Sequence, residues 1–175
     1  MFPLKVLMLA PGVIVHELGH LLLCRLSGVA VRRFVLFQIA SPAGFVIHAK
    51  PRLLRQHLAI SGGPLVVSSA LSVALFVLSA RLFLLRPIAW WPAVTLFASW
   101  QAWSIALEAW PSRADAGALR GAAAYQLRQL NPGAILALPL AWSLLLVGAS
   151  RRIGGHWLYA ALLAAVALRL VGTQN

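Results

Sequence analysis

The sequence predicts an all-α integral membrane protein, a polytopic bundle of about five transmembrane helices with a small β-hairpin between the first two. Three observations predict it. The 175 residues are 61% hydrophobic and 10% charged, where a soluble chain is about half apolar and about a quarter charged. Apolar runs near the ~20 residues that cross a bilayer recur five times along the chain. The basic residues punctuate those runs instead of gathering in one patch, which fits loops that fix a membrane topology better than a nucleic-acid surface.

The first run covers residues 4–26. It has no small-residue cleavage site after a short apolar core, so it reads as a retained span and not a removed signal peptide. Next comes "VAVRRFVLFQIASPAGFVIHAKP", too polar to span. Its β-rich runs, 29–38 and 44–49, flank a Ser-Pro-Ala-Gly turn and predict a hairpin at the cytoplasmic face. The second span is 58–80, free of charge. Gly62-Gly63-Pro64 near its start would loosen the helix there and let it approach the first span, or simply begin the helix.

The third span, 87–107, is also uncharged, with Trp90 and Trp91 near one end and Trp110 past the other, as interfacial belts have them. "PSRADAGALRGAAAYQLRQLNP" then reads as a turn and a short Ala-rich surface helix that ends at Asn131-Pro132. Residues 129–150 make a fourth span and 153–168 a shorter fifth. The whole chain, 1–175, is one membrane domain: a three-span core over 4–120 and two further spans over 129–170.

Lys and Arg total 15 against 3 Asp and Glu. With loops on alternating sides, Lys5, Arg81, Arg86, Arg151 and Arg152 face one way and the other ten basic residues the opposite way. The positive-inside rule makes the richer side cytoplasmic and puts the amino terminus outside, as in a prokaryotic cytoplasmic membrane. Cys24 is the single cysteine, so no intrachain disulfide framework exists.

The first span contains "VIVHELGHLLL". His16 and His20 are four residues apart, so a helix stacks both imidazoles on one face, within reach of one cation. Glu17 beside them is placed to take a proton from water. Such groups are costly at bilayer depth, and ionisable residues kept there are functional candidates. A polar helix face bonded to neighbouring spans accounts for one histidine but poorly for two and a glutamate. A catalytic zinc takes three protein ligands and an open position. Asp115, Glu108 and Cys24 are the candidates for the third ligand. Each has a plainer role: Asp115 caps the surface helix through Ser112-Arg113-Ala114-Asp115, Glu108 pairs with an arginine such as Arg113, and Cys24 fills an apolar site. His48, His57 and His156, near interfaces, read as structural or solvated.

These residues resemble the site-2 protease family of intramembrane zinc metalloproteases. "HELGH" is similar to that family's first motif, "SGGPLVVSS" to the Gly-Pro motif of its second core span, and "EAWPSRADAG" to a degenerate form of its third. The resemblance spans about residues 4–120. It implies one zinc ion bound by His16, His20 and Asp115, Glu17 as general base, and a membrane-protein substrate cut in or near its transmembrane segment. The family commonly has Asp-Gly where Asp115-Ala116 stands here, and an asparagine where Val67 stands. An unwound substrate could add as a strand to the hairpin edge at Gly44, Phe45, Val46 and Ile47. A hairpin that only plugs the bundle is the alternative. Two other functions remain open at this point: a non-catalytic metal-binding membrane protein, and a zinc protease of the prenyl-protein-processing type that uses Glu108 as ligand.

Overall fold

The computed structural model describes residues 3–86 and 89–173. It is mostly helical, with one two-stranded antiparallel sheet. The helices α1 (Pro3–Met8) and α2 (Ala10–Leu26) make the first rod, with Pro11 in the first turn of α2, where its missing N–H is no loss. The strands β1 (Val31–Val35) and β2 (Phe45–His48) follow. Then come α3 (Leu54–Leu85), α4 (Trp91–Glu108), α5 (Arg113–Arg128), α6 (Gly133–Ser150), a 3₁₀ turn at Arg151–Ile153, and α7 (Gly155–Gly172).

The spine is α3. Its 32 residues extend about 48 Å, well past the expected 58–80. Gly62-Gly63-Pro64 therefore lies inside the helix instead of starting it. The expected close approach is present: a Cβ on Gly63 would lie 2.6 Å from Leu23 Cγ, and one on Gly19 3.1 Å from Pro64 Cα. Serines link α3 to α4. Ser72 Oγ donates to the Ala102 carbonyl at 3.0 Å, and Ser79 Oγ meets Ser99 Oγ at 2.6 Å. Short hydroxyl side chains suit such contacts between apolar helices, since they satisfy themselves without holding the backbones apart.

The remaining helices form two broken rods along α3. In the first, α4 and then α5 run against α3: Thr95 and Ala102 meet Ser79 and Ser72, and Ala116, Leu119 and Ala123 share a buried cluster with Leu54. In the second, α6 and then α7 run with α3. Gly133 lies near Leu54, Tyr159 Oη meets Ser69 Oγ at 2.6 Å, and Leu163 and Ala167 pack beside Phe76. Residues 113–128 form the expected helix, which buries Ala116, Leu119 and Ala123 against α6 and the start of α3 and leaves Arg113, Arg120 and Arg128 exposed. One expectation changes: α6 and α7 follow one another in the same sense along α3 instead of pairing as a hairpin, and Arg151 reaches Glu108.

Three segments are long and apolar enough to cross a membrane, namely α3, Gly133–Ile153 and α7. These carry the second, fourth and fifth expected spans. The first and third do not meet the same test. At 17 residues α2 is short and holds His16, Glu17 and His20, while Gln101, Glu108 and several tryptophans lower the hydropathy of α4. Pro87 and Ile88, the expected start of the third span, lie outside the described residues. Leu and Ile side chains are widely exposed, including Leu136 at 80% and Leu158 at 76%, as an acyl-chain solvent permits.

The hairpin forms where expected, with shorter strands. Arg33 pairs with Ile47, Phe34 with Val46 and Val35 with Phe45, and the register slips between Val31 and Arg33.

At Gly12 α2 lies directly against α4: its N–H donates to Ser104 Oγ at 2.9 Å, and a Cβ there would fall on the Ser104 carbonyl. Gly12→Ala should destabilise the bundle by about 1–3 kcal/mol through this overlap. Thermal unfolding followed by tryptophan fluorescence in detergent tests it, and an unchanged midpoint would show that α2 and α4 do not pack here.

Candidate metal centre

The HELGH segment lies on the inner face of α2, with His16, Glu17 and His20 all buried. Helical spacing stacks the two imidazoles, whose ring centroids are 4.9 Å apart. The fold brings Asp115 to them. His16 Nε2 lies 3.8 Å from Asp115 Oδ2 and His20 Nε2 3.5 Å from Asp115 Oδ1. The three side chains lie close enough to bind a single metal ion.

The other ring nitrogens fix which tautomer is present. His16 Nδ1 is 2.8 Å from the Glu108 carbonyl oxygen, and His20 Nδ1 is 2.9 Å from that of Ile60. A carbonyl oxygen only accepts, so both Nδ1 atoms carry hydrogen and donate. In the neutral rings both Nε2 atoms then turn lone pairs toward a carboxylate. Acceptors facing acceptors need a positive charge between them. A proton fits poorly, because a charged N–H···O⁻ bond closes to about 2.7–2.9 Å and these gaps are wider. Ligand atoms about 2.0–2.2 Å from a tetrahedral cation lie roughly 3.3–3.6 Å from each other; here one ligand atom from each residue lies within 4.8 Å of the others, a spread that a cation between them would draw in. The donor set therefore fits a small divalent cation.

The two accepting carbonyls are free for backbone reasons. Residue 64 is proline, so no N–H at that position can reach the carbonyl of Ile60, four residues earlier in α3. His20 supplies the missing donor. Glu108 is the last residue of α4, where carbonyls have lost their helical partners, and Pro111 prevents the helix from continuing. His16 supplies the donor there. The Gly-Pro of α3 and the Trp-Pro after α4 thus hold the imidazoles through backbone groups.

Asp115 sits in the first turn of α5. Ser112 caps that helix, its Oγ accepting from the Asp115 N–H at 3.1 Å and donating to the Asp115 carboxylate. The expected capping role and the place beside the histidines are thus both found, because the cap itself aims the carboxylate. Glu108 and Cys24 stand apart from the cluster. Glu108 directs its carboxylate to Arg151 at 2.5 Å, not to Arg113, while Cys24 is fully buried with Val29 and Ile60.

Glu17 and His16 line a cavity of about 150 Å³ with Glu108, Ser112, Arg151 and the hairpin tip at Ala43 and Gly44. A Cβ on Gly44 would lie 2.8 Å from Glu17 Cγ, so the tip rests directly on the carboxylate-bearing side chain. Phe45, Val46 and Ile47 continue from there into β2. Sequence reading missed Arg151. Its contribution depends on the two helix breaks meeting: Trp110 Nε1 donates to the Val147 carbonyl at 2.7 Å, and Gly148 faces the Pro111 carbonyl. His48 and His57, read as structural or solvated, line a second and larger cavity that reaches Asp115.

No protein-family model matches the chain, and neither a curated protein nor a solved structure matches it.

Pro64→Ala gives Ile60 a helical N–H of its own, in competition with His20. Metal affinity should fall about 10- to 100-fold, the effect of losing a group that orients a ligand, while helix content is kept or gains. Competitive titration with a metal-sensitive dye checks this, and unchanged affinity would show that the Ile60 carbonyl does not matter to the site.

Proposed function

We propose that this chain is an intramembrane zinc metalloendopeptidase of the site-2 protease type, which hydrolyses a peptide bond in or near a transmembrane segment of another membrane protein. The observation that carries the reading is the convergence of two imidazole Nε2 atoms on one carboxylate, with a further carboxylate, Glu17, beside a small cavity. Two borderline imidazole nitrogens with one hard carboxylate oxygen are a donor set that zinc accepts, and three protein ligands leave one coordination position for water or substrate. Zinc bound there would polarise a scissile carbonyl and bring the pKa of a water to about 7.

Glu17 takes part in none of the ion pairs among the described residues, so its carboxylate is free to accept a proton from water and return it to the departing amine. Arg151, anchored on Glu108, adds positive charge to the wall of the same cavity. The hairpin supports the substrate half of the reading. A two-stranded sheet leaves the outer edge of each strand without a partner, and an unwound substrate needs backbone partners in place of its lost helical ones.

The membrane arrangement we favour has four crossings instead of five: α1–α2, α3, α4–α5, and α6–α7 as one interrupted rod. Basic residues concentrate at the end holding the hairpin and the start of α3, with Arg25, Arg32, Arg33, Lys50, Arg52 and Arg55, against Lys5, Arg81, Arg86 and Arg169 toward the far end. The positive-inside rule then makes the hairpin end cytoplasmic and leaves the amino terminus outside.

Wild-type chain purified in detergent should carry about one zinc per chain by mass spectrometry. His20→Ala and Asp115→Asn should lose it, Glu108→Gln should keep it, and Glu17→Gln should keep it while cleavage of a membrane-embedded reporter drops by at least about 10³-fold. Full biological function in Glu17→Gln would instead mark a non-catalytic metal protein. Proline at Val46 or Ile47 should reduce cleavage with zinc content unchanged; undiminished cleavage in both variants would remove the strand-addition step.

A further inference from the structure

Beyond the 150 Å³ pocket at Glu17, a larger cavity of about 810 Å³ opens on the other side of Asp115. One wall is α5. The opposite wall is the connection from β2 into α3, with His48, Lys50, Arg52 and His57. This wall is strongly basic, and Asp115 is the only carboxylate lining the cavity. Lys50 and Arg52 are exposed, and neither belongs to an ion pair among the described residues. Lys50 reaches toward the α5 wall, its ammonium 5.9 Å from the centre of the Tyr125 ring.

The α5 wall carries only small side chains between Asp115 and Tyr125. Gly117 and Gly121 line it one turn apart, and a Cβ on either would meet nothing within 4 Å. Helix packing does not require them, and each costs about 1 kcal/mol in helix stability relative to alanine. Their effect is to leave a smooth floor on which another backbone can lie close to the helix. A channel with a bare floor and a basic wall, ending at a residue of the metal cluster, fits a chain that continues to the reacting bond.

We propose that this cavity is a substrate subsite selective for acidic polypeptide, holding an Asp- or Glu-rich segment that flanks the scissile bond. The proposal rests on the hydrolase reading for the identity of the bond, but the binding it describes does not require turnover. A segment attached to what reaches His16, His20 and Asp115 must leave the site by some path. On this one it meets Lys50 and Arg52, which form no ion pair among the described residues. An anionic lipid headgroup shares the charge but gives no reason for the bare helix face or for the opening onto Asp115.

The experiment uses the full chain with Glu17→Gln, zinc-loaded in detergent, and three fluorescent peptides that share one apolar core and carry Asp-Glu-Asp, Ser-Ser-Ser or Lys-Arg-Lys beside it. The acidic peptide should bind about tenfold more tightly than the serine one, and the basic peptide should bind weakest. Lys50→Glu/Arg52→Glu should erase or reverse that order with zinc content unchanged, and Gly121→Leu should weaken the acidic peptide alone. Equal binding of the three peptides, or an order untouched by the charge reversal, would overturn the proposal. So would charge-dependent binding confined to vesicles containing phosphatidylserine. Failure of the Glu17-intact chain to cut any of the peptides, with the acidic preference retained, would count against the hydrolase reading and leave this subsite standing.

Discussion

Two imidazole lone pairs are held facing a carboxylate in the interior of an apolar bundle, and much of the fold serves that one juxtaposition. Left to itself it is repulsive, since each Nε2 and each carboxylate oxygen is an acceptor. The histidine side chains are buried, and a buried polar group left unpaired costs roughly 1–3 kcal/mol. A divalent cation converts the same geometry from a liability into a chelate. Binding energy and folding are then coupled, because the ligands come from α2 and α5, which no local interaction would bring together.

Two prolines make this possible. A continuous α4–α5 helix would bond the Glu108 carbonyl internally and would carry Asp115 around with its own periodicity. Pro111 stops it, Ser112 restarts it with a cap, and the first turn of the new helix presents Asp115 inward. Pro64 acts more quietly, deleting one backbone donor without ending α3. In both places a proline releases a carbonyl, and in both a histidine uses it. The two ring orientations therefore depend on backbone groups, which are less mobile than side chains and less easily lost by mutation.

The local parts of this arrangement were legible in the sequence. Four-residue spacing put His16 and His20 on one face, two β-rich runs and the Ser-Pro-Ala-Gly turn placed the hairpin, and Ser112 through Asp115 reads as a cap. Apolar runs located the helices that carry them. The path of the chain between those helices was not legible. Hydropathy cannot tell an antiparallel pair from two helices end to end, and α6 and α7 are apolar enough for either. That ambiguity moved Arg151 from an outer loop to the side of Glu108, where it became part of the site. Likewise the glycines of α5 look like weak helix formers until the structure shows open space above them. Resemblance to a family supplied Asp115 as ligand; residue chemistry alone left Glu108 and Cys24 beside it, and only their actual partners separate the three.

The distribution of acid in the chain follows the same logic. A protein with 15 basic residues has three carboxylates, and all three lie around one point. Asp115 faces the histidines, Glu17 borders the adjoining cavity, and Glu108 lends its carbonyl to His16 and its carboxylate to Arg151. None is placed to balance the basic loops, so the charge at the hairpin end stays uncompensated within the chain. In a membrane protein such excess orients the fold by its attraction to the cytoplasmic side. Where it lines the cavity that ends at Asp115, it favours an anionic occupant on purely Coulombic grounds. Under the membrane arrangement and the subsite proposed above, one lopsided composition would act twice: on the outer surface it would orient the bundle in the bilayer, and inside it would select the charge of what approaches the metal cluster.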